Sequence, residues 1–193
     1  SLLNGAGLGV VSMLINEGVL SIGAGSALDV SGSFASTGAA WIGGQLAATD
    51  MRFFGTLSAG LEGDVGQASL TGGPVRVGST NLLHLDVLAL DSFDLLALTG
   101  AAALDGHLWA DFGTEASPLG SYRFLVAEGG VSGRFASIGS NLDPSRYLVS
   151  AVYGADYVDL TVAAVPEPQT YALMAVGLAA LWGGRRRARA ARA

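Results

Sequence analysis

Apolar residues in this chain come in short alternating runs that glycine or serine soon cuts off. Leu20 and Ile22 flank Ser21, and Leu28 and Val30 flank Asp29. That is the two-residue period of a half-buried strand. Strands this short cannot bury a core alone. They can do so as stacked coils, where the apolar face of each rung is covered by the next. The 29 glycines fit such a chain, because tight corners need residues without a side chain. Two stretches are near-copies, Gly18-Val-Leu-Ser-Ile-Gly and Gly55-Thr-Leu-Ser-Ala-Gly. Ala27-Leu-Asp-Val and His84-Leu-Asp-Val form a second small repeat. The spacing between copies is irregular.

Residues 82–98 allow two readings. Val87, Leu90, Leu95 and Leu98 would form a helical stripe, whereas Leu83, Leu85 and Val87 alternate with His84 and Asp86 as a strand does. Strands are preferred, because every neighbouring segment reads that way. Further on, residues 106–112 alternate, Pro118 and Gly120 turn the chain into residues 122–127, and residues 148–153 and 157–162 form a hairpin through Gly154-Ala155-Asp156. In its second arm Val158, Leu160 and Val162 share one face, with Asp159 and Thr161 on the other. The expected fold is all-β: a right-handed parallel β-helix or solenoid over residues 1–99, a C-terminal antiparallel β cap over 100–164, and a single apolar helix within 165–193. The cap is required because the last rung of a solenoid leaves an open edge.

Charge and composition exclude several functions. Cysteine is absent, which removes disulfides, thiol nucleophiles and Cys-based metal sites, and every basic side chain apart from the two histidines is arginine. Fifteen Asp/Glu and five Arg before Pro166 make the body acidic, while the tail holds Glu167 and five Arg. An acidic body argues against nucleic acid, which needs a basic patch. It suits solubility in an extracellular matrix or weak binding of divalent cations. Gly5-Ala-Gly-Leu-Gly lacks the third glycine of a dinucleotide loop, having Val10 there. His84 lies two residues from Asp86, and His107 two from Asp105. Each pair would share a strand face, and they are read as rim histidines beside turn aspartates, with no metal and no catalytic residue assigned. Asp86, Asp91, Asp94, Asp105 and Asp111 are candidates for the paired carboxylates of a glycosidase, roughly 5–9 Å apart, but spacing along the chain puts no two of them across a cleft. No cofactor is expected.

The last stretch, residues 165–193, has a different character. Pro166 and Pro168 around Glu167 make a stiff, extended spacer that a packed domain would not continue through. An uncharged run follows, containing Thr170, Tyr171, Leu173, Val176, Leu178, Leu181 and Trp182 and only Gly177 as an interruption. As a helix it would reach about 24 Å at ~1.5 Å per residue, short of a hydrocarbon core about 30 Å thick, so spanning would need snorkelling or local thinning. Arg185, Arg186 and Arg187 come next, then Arg189 and Arg192. By the positive-inside rule they stay cytoplasmic and the body lies across the membrane.

Val165-Pro166-Glu167-Pro168, the apolar run and the arginines resemble the PEP-CTERM sorting signal of Gram-negative bacteria. The resemblance implies recognition of Pro166, Glu167 and Pro168 by an exosortase, a membrane processing enzyme, and a cell-surface or extracellular fate close to exopolysaccharide and biofilm matrix. Residues 16–32, and again 122–135, resemble rungs and the terminal part of autotransporter-like β-helical passengers. A full autotransporter is disfavoured, because no run of about ten-residue amphipathic barrel strands follows. Ser1 is not an initiator methionine and no signal peptide opens the chain, so an exported protein with this tail is expected to be a fragment lacking its true start. The reading is an exported structural or adhesive protein, not an enzyme. It would be anchored in the inner membrane as a precursor with its body in the periplasm, and then move to the surface. The alternative is a carbohydrate-active β-helix enzyme with the same tail.

Overall fold

The structure, a computed structural model, describes residues 5–10, 12–113, 118–166, 173–174 and 176–178. The chain divides into two compact units, Ser1–Ala163 and Ala164–Ala193.

The first unit is built from β-strands that visit three sheets in rotation. The first sheet takes β1 (Gly7–Val10), β4 (Ala27–Val30), β7 (Gln45–Ala48), β10 (Gln67–Gly72), β14 (Leu95–Leu98) and β17 (Gly120–Ala127). The second takes β2 (Met13–Asn16), β5 (Ser33–Ser36), β8 (Asp50–Phe53), β11 (Val75–Val77), β15 (Ala102–Leu104) and β18 (Val131–Gly133). The third takes β3 (Val19–Ile22), β6 (Ala39–Ile42), β9 (Thr56–Ala59), β12 (Leu82–Ala89), β16 (His107–Phe112) and β19 (Ser137–Ser140). Neighbours along all three paths pair in parallel. Residues 82–98 are therefore strands, as their alternation indicated, with the short β13 (Ser92–Phe93) folded back antiparallel on β12.

Parallel pairing runs on past residue 99 through β19. Antiparallel closure falls to the hairpin of β20 (Tyr147–Tyr153) and β21 (Tyr157–Ala164), whose second arm pairs with β17. Val158, Leu160 and Val162 are buried on one face, as their spacing required. Arg123 clamps this edge: its Nε and Nη2 donate to the two carboxylate oxygens of the cross-strand Asp159 at 2.9 and 3.1 Å, and its guanidinium covers the Tyr157 ring at 3.7 Å.

Register explains the core. In-register residues such as Leu28 and Leu46, or Leu57, Leu83 and Leu108, are buried one above another. Phe34 and Phe53 meet with ring centroids 5.5 Å apart. Towards the closing hairpin the interior fills with aromatics, Phe112 and Phe93 against Tyr122 and Phe135 against Phe124 and Tyr153. The near-copies at Gly18 and Gly55 enter β3 and β9, equivalent strands of one sheet. At their common corner a Cβ on Gly55 would overlap the carbonyl oxygen of Gly38, and one on Gly38 that of Gly18, so these corners stack without side chains. The second repeat does not mark equivalent positions: Ala27-Leu-Asp-Val is β4 of the first sheet and His84-Leu-Asp-Val lies in β12 of the third.

One buried acid holds an irregular corner. Asp94 is fully buried after β13. Its Oδ1 accepts from the Gly66 N–H at 2.8 Å, and its Oδ2 from the Asp86 N–H at 3.0 Å and the Ser58 hydroxyl at 3.3 Å. β9 pairs with β12 only from Leu82 to His84. Beyond that point the Asp94 carboxylate and β13 take over the strand edge.

In the second unit Val165 and Pro166 are exposed, and Leu173, Met174, Val176, Gly177 and Leu178 are helical with exposed apolar side chains. Among the described residues no helix is long and apolar enough to cross a membrane. Of the residues expected to span it, Thr170, Tyr171, Leu181 and Trp182 lie outside the described residues, as do Glu167, Pro168, Arg185, Arg186 and Arg187.

Two outcomes follow for stability. Phe34→Ala empties a position shared by two circuits and should lower the unfolding free energy by about 3–5 kcal/mol, read as a shift of the urea midpoint. Burial raises the Asp94 carboxyl from 3.8 to about 7, against its hydrogen bonds, which favour the charged form. Between those values the folded state keeps a proton that the unfolded chain has released. The contribution of Asp94 is therefore full below pH about 4 and is lost as pH rises through about 7, a change on the order of 4 kcal/mol. Melting temperatures taken from pH 4 to 8 should fall accordingly, and Asp94→Asn should flatten that slope. An unchanged slope in the variant would assign it to another group.

Candidate functional site

The outer face of the third sheet carries the chemistry. Parallel register sets its side chains in rows across the strands. Trp41, Ser58, His84, Trp109 and Gly139 lie in one row, and Asp86 and Asp111 in the next. Along β12 the side chains of His84 and Asp86 point to the same face because they are two residues apart. The sequence reading made them a rim histidine and a turn aspartate. The structure corrects this: both sit within β12, His84 half-buried and Asp86 only 8% exposed. Beside Asp86, β13 and the Asp94 carboxylate occupy the edge of β12, a fold-back that the alternation of residues 82–98 does not announce.

His84 Nδ1 and Asp86 Oδ2 face each other at 3.6 Å. Both atoms are buried, and among the described residues neither has a hydrogen-bond partner. Asp111 joins them from β16, and donor atoms of all three side chains lie within 4.8 Å of one another. Asn141 holds Asp111 in place. Its Nδ2 donates to Asp111 Oδ1 and to the Phe112 carbonyl, and its Oδ1 accepts from the Phe112 N–H at 2.9 Å. The Asp86 carboxylate, with Asp111 and Asp94 behind it, raises the His84 pKa above the ordinary imidazole value although burial opposes it. The Trp41 ring meets His84 edge-on at 6.5 Å, and the 39% exposed Trp109 packs over Gly139 on the far side.

The other carboxylates and histidine are placed apart. His107 Nδ1 lies 2.7 Å from the Ser137 hydroxyl on the exposed edge of β16, and Asp105 Oδ1 accepts from the Gly106 N–H. Asp91 is exposed in the turn before β13. The five arginines of the body are engaged elsewhere: Arg52 and Arg76 share Asp50, Arg123 binds Asp159, and Arg134 and Arg146 lie over Tyr153 and Tyr147. A groove of about 1030 Å³ runs over the first sheet, bounded by Gln45, Gln67, Asp64 and Leu88 among others, and the Asp86–Asp111 pair does not line it.

The sorting residues lie at the other end of the chain. β21 ends at Ala164, and Val165 and Pro166 follow exposed and outside any strand. No curated protein matches the chain. A family model for the PEP-CTERM protein-sorting motif matches residues 164–187. The match starts at the last residue of the last strand and is confined to the tail, so it carries nothing for the autotransporter-like resemblance of the body. The expected Val165-Pro166-Glu167-Pro168 motif, the apolar run and Arg185, Arg186 and Arg187 all fall inside the matched range. Residues 164–187 are thus a PEP-CTERM protein-sorting motif, and the chain carrying it is an exported protein sorted by exosortase.

Proposed function

We propose that the body is a right-handed parallel β-helix with an antiparallel cap, serving as a structural or adhesive element of the cell surface or extracellular matrix. Exosortase detaches it from its C-terminal tail. The observation that carries this reading is the abrupt change of character at Ala164, where the last strand ends and the matched sorting motif begins. Folding of the body is complete at that point, so a cut beyond it leaves every strand pairing intact. Three parallel sheets with successive strands in register support the helical reading of the body, and right-handed connection is the rule for parallel crossovers. The exposed apolar side chains of Leu173, Met174, Val176 and Leu178 suit a segment held in the inner membrane before processing. The arginines behind them suit the cytoplasmic side. The acidic body then passes from periplasm to surface, in contact with exopolysaccharide and without nucleic acid as a partner.

One observation favours the alternative, a carbohydrate-active enzyme. Asp86 and Asp111 are adjacent, close to the roughly 5–5.5 Å separation of a retaining carboxylate pair. Against it, the pair lies outside the large groove and the arginines of the body are engaged elsewhere. The structural reading therefore stands first.

Coexpression with an exosortase tests the assignment through the intact mass of the surface or secreted product. The wild-type chain should lose its tail beyond the Pro166-Glu167-Pro168 region. Replacing Arg185, Arg186 and Arg187 together with Ala should leave most of the protein as unprocessed precursor, and processing at the wild-type level would count against the sorting role of the arginines. Release of reducing sugar from an exopolysaccharide by the purified body, abolished in Asp111→Asn, would move the assignment to the enzyme.

A further inference from the structure

We propose that His84, Asp86 and Asp111 form a binding site for one divalent transition-metal ion, of the Zn²⁺ or Mn²⁺ type, on the outer face of the third sheet. The donor set is one imidazole and two carboxylates. Imidazole selects for transition metals, and carboxylates extend the range to manganese. Two carboxylates with a neutral imidazole supply two negative charges, which matches a divalent ion.

The geometry supports the assignment independently of the acidic character of the cluster. Two donors that each lie ~2.1 Å from a shared ion, at the tetrahedral angle of about 109°, are roughly 3.4 Å apart. His84 Nδ1 and Asp86 Oδ2 stand at 3.6 Å, too far for a hydrogen bond to each other. Both atoms are buried and, among the described residues, without a hydrogen-bond partner. A buried carboxylate oxygen aimed at a buried ring nitrogen is a costly arrangement unless a proton on the ring or a metal ion lies between them, and 3.6 Å is long for the proton and suits the ion. The ion binds His84 through Nδ1, as the neutral tautomer protonated at Nε2.

The third ligand is held by its own partner. Asn141 is fixed by two hydrogen bonds to the Phe112 backbone and donates to Asp111 Oδ1, which leaves Oδ2 for the metal. Asn141 is a positioning residue of the kind that metal sites place behind their ligands. Asp94 is not a ligand, since both its oxygens are taken by Gly66, Asp86 and Ser58. Its role is to hold the backbone of Asp86. Three protein ligands leave the ion open on its outer side to water, or to a hydroxyl or carboxylate of a matrix glycan. Trp41 and Trp109 flank His84 on either side.

Titration of the untagged full chain in detergent micelles, after chelator treatment and dialysis, tests the site. ZnCl₂ and MnCl₂ are added separately and followed by calorimetry, with the Mn²⁺ resonance spectrum as a second readout. One equivalent should bind saturably. Asp111→Asn and His84→Gln should each weaken binding at least about tenfold, and far-UV circular dichroism should show the strands of both variants retained. His107→Gln, which alters the exposed histidine of the same sheet, should bind like the wild type. The proposal is overturned by the absence of saturable uptake of either ion, by equal affinity in the wild type and both variants, or by saturable binding of Ca²⁺ alone.

Discussion

Everything in the body depends on parallel register between one circuit and the next. Each strand is two to eight residues long and buries few side chains on its own. Once Leu46 lies over Leu28 and Leu57 over Ala40, the inward residues form continuous apolar rows and the outward ones form rows of their own. A slip by one residue would exchange the two sets in every strand. The register is held at the corners, where glycines such as Gly38 and Gly55 let successive backbones approach within hydrogen-bond reach. Apolar burial and corner geometry therefore enforce the same alignment.

That alignment also decides which outward residues become neighbours. Circuits are unequal: Ala27 pairs with Gln45, 18 residues on, whereas Leu96 pairs with Leu125, 29 residues on. Alternation along one strand is local and can be read directly, which is why the strands of residues 82–98 and the final hairpin were legible. Adjacency across strands depends on the length of every intervening corner. His84 and Asp86 could be placed on one face from their spacing, but the arrival of Asp111, 25 positions after Asp86, could not. Nor could the fold-back of β13, which leaves the Asp94 carboxylate bonded to the Asp86 backbone at the strand edge. The repeated His84-Leu-Asp-Val pattern misled for the same reason: it records the same alternation in a different sheet.

The sorting segment was legible for the opposite reason. Its parts are contiguous, and each is recognisable from its own chemistry: a Pro-Glu-Pro, an apolar run and a cluster of arginines. Contiguous parts of this kind need no tertiary neighbour to be read. The two kinds of function in this protein thus differ in how they are encoded. The tail is encoded in order along the chain, and the outer-face cluster in the register of a folded sheet.

This separation bears on what such a body can be used for. Its interior is filled from Ile22 to Val162 by buried side chains packed within and across the sheets, so a ligand site inside would break the packing that makes the fold. The outer faces carry no such constraint. An outward position can change without moving a rung, provided its inward neighbours keep their register. A site placed there will draw ligands from adjacent strands at two-residue spacing, as His84, Asp86 and Asp111 do. Near the irregular corner around Asp94, this face buries a carboxylate, that of Asp86. Burial of a carboxylate opposite an imidazole is what turns a common surface pattern into a selective one, because the two must share a proton or a metal ion. The strands supply the spacing, and burial supplies the chemical demand.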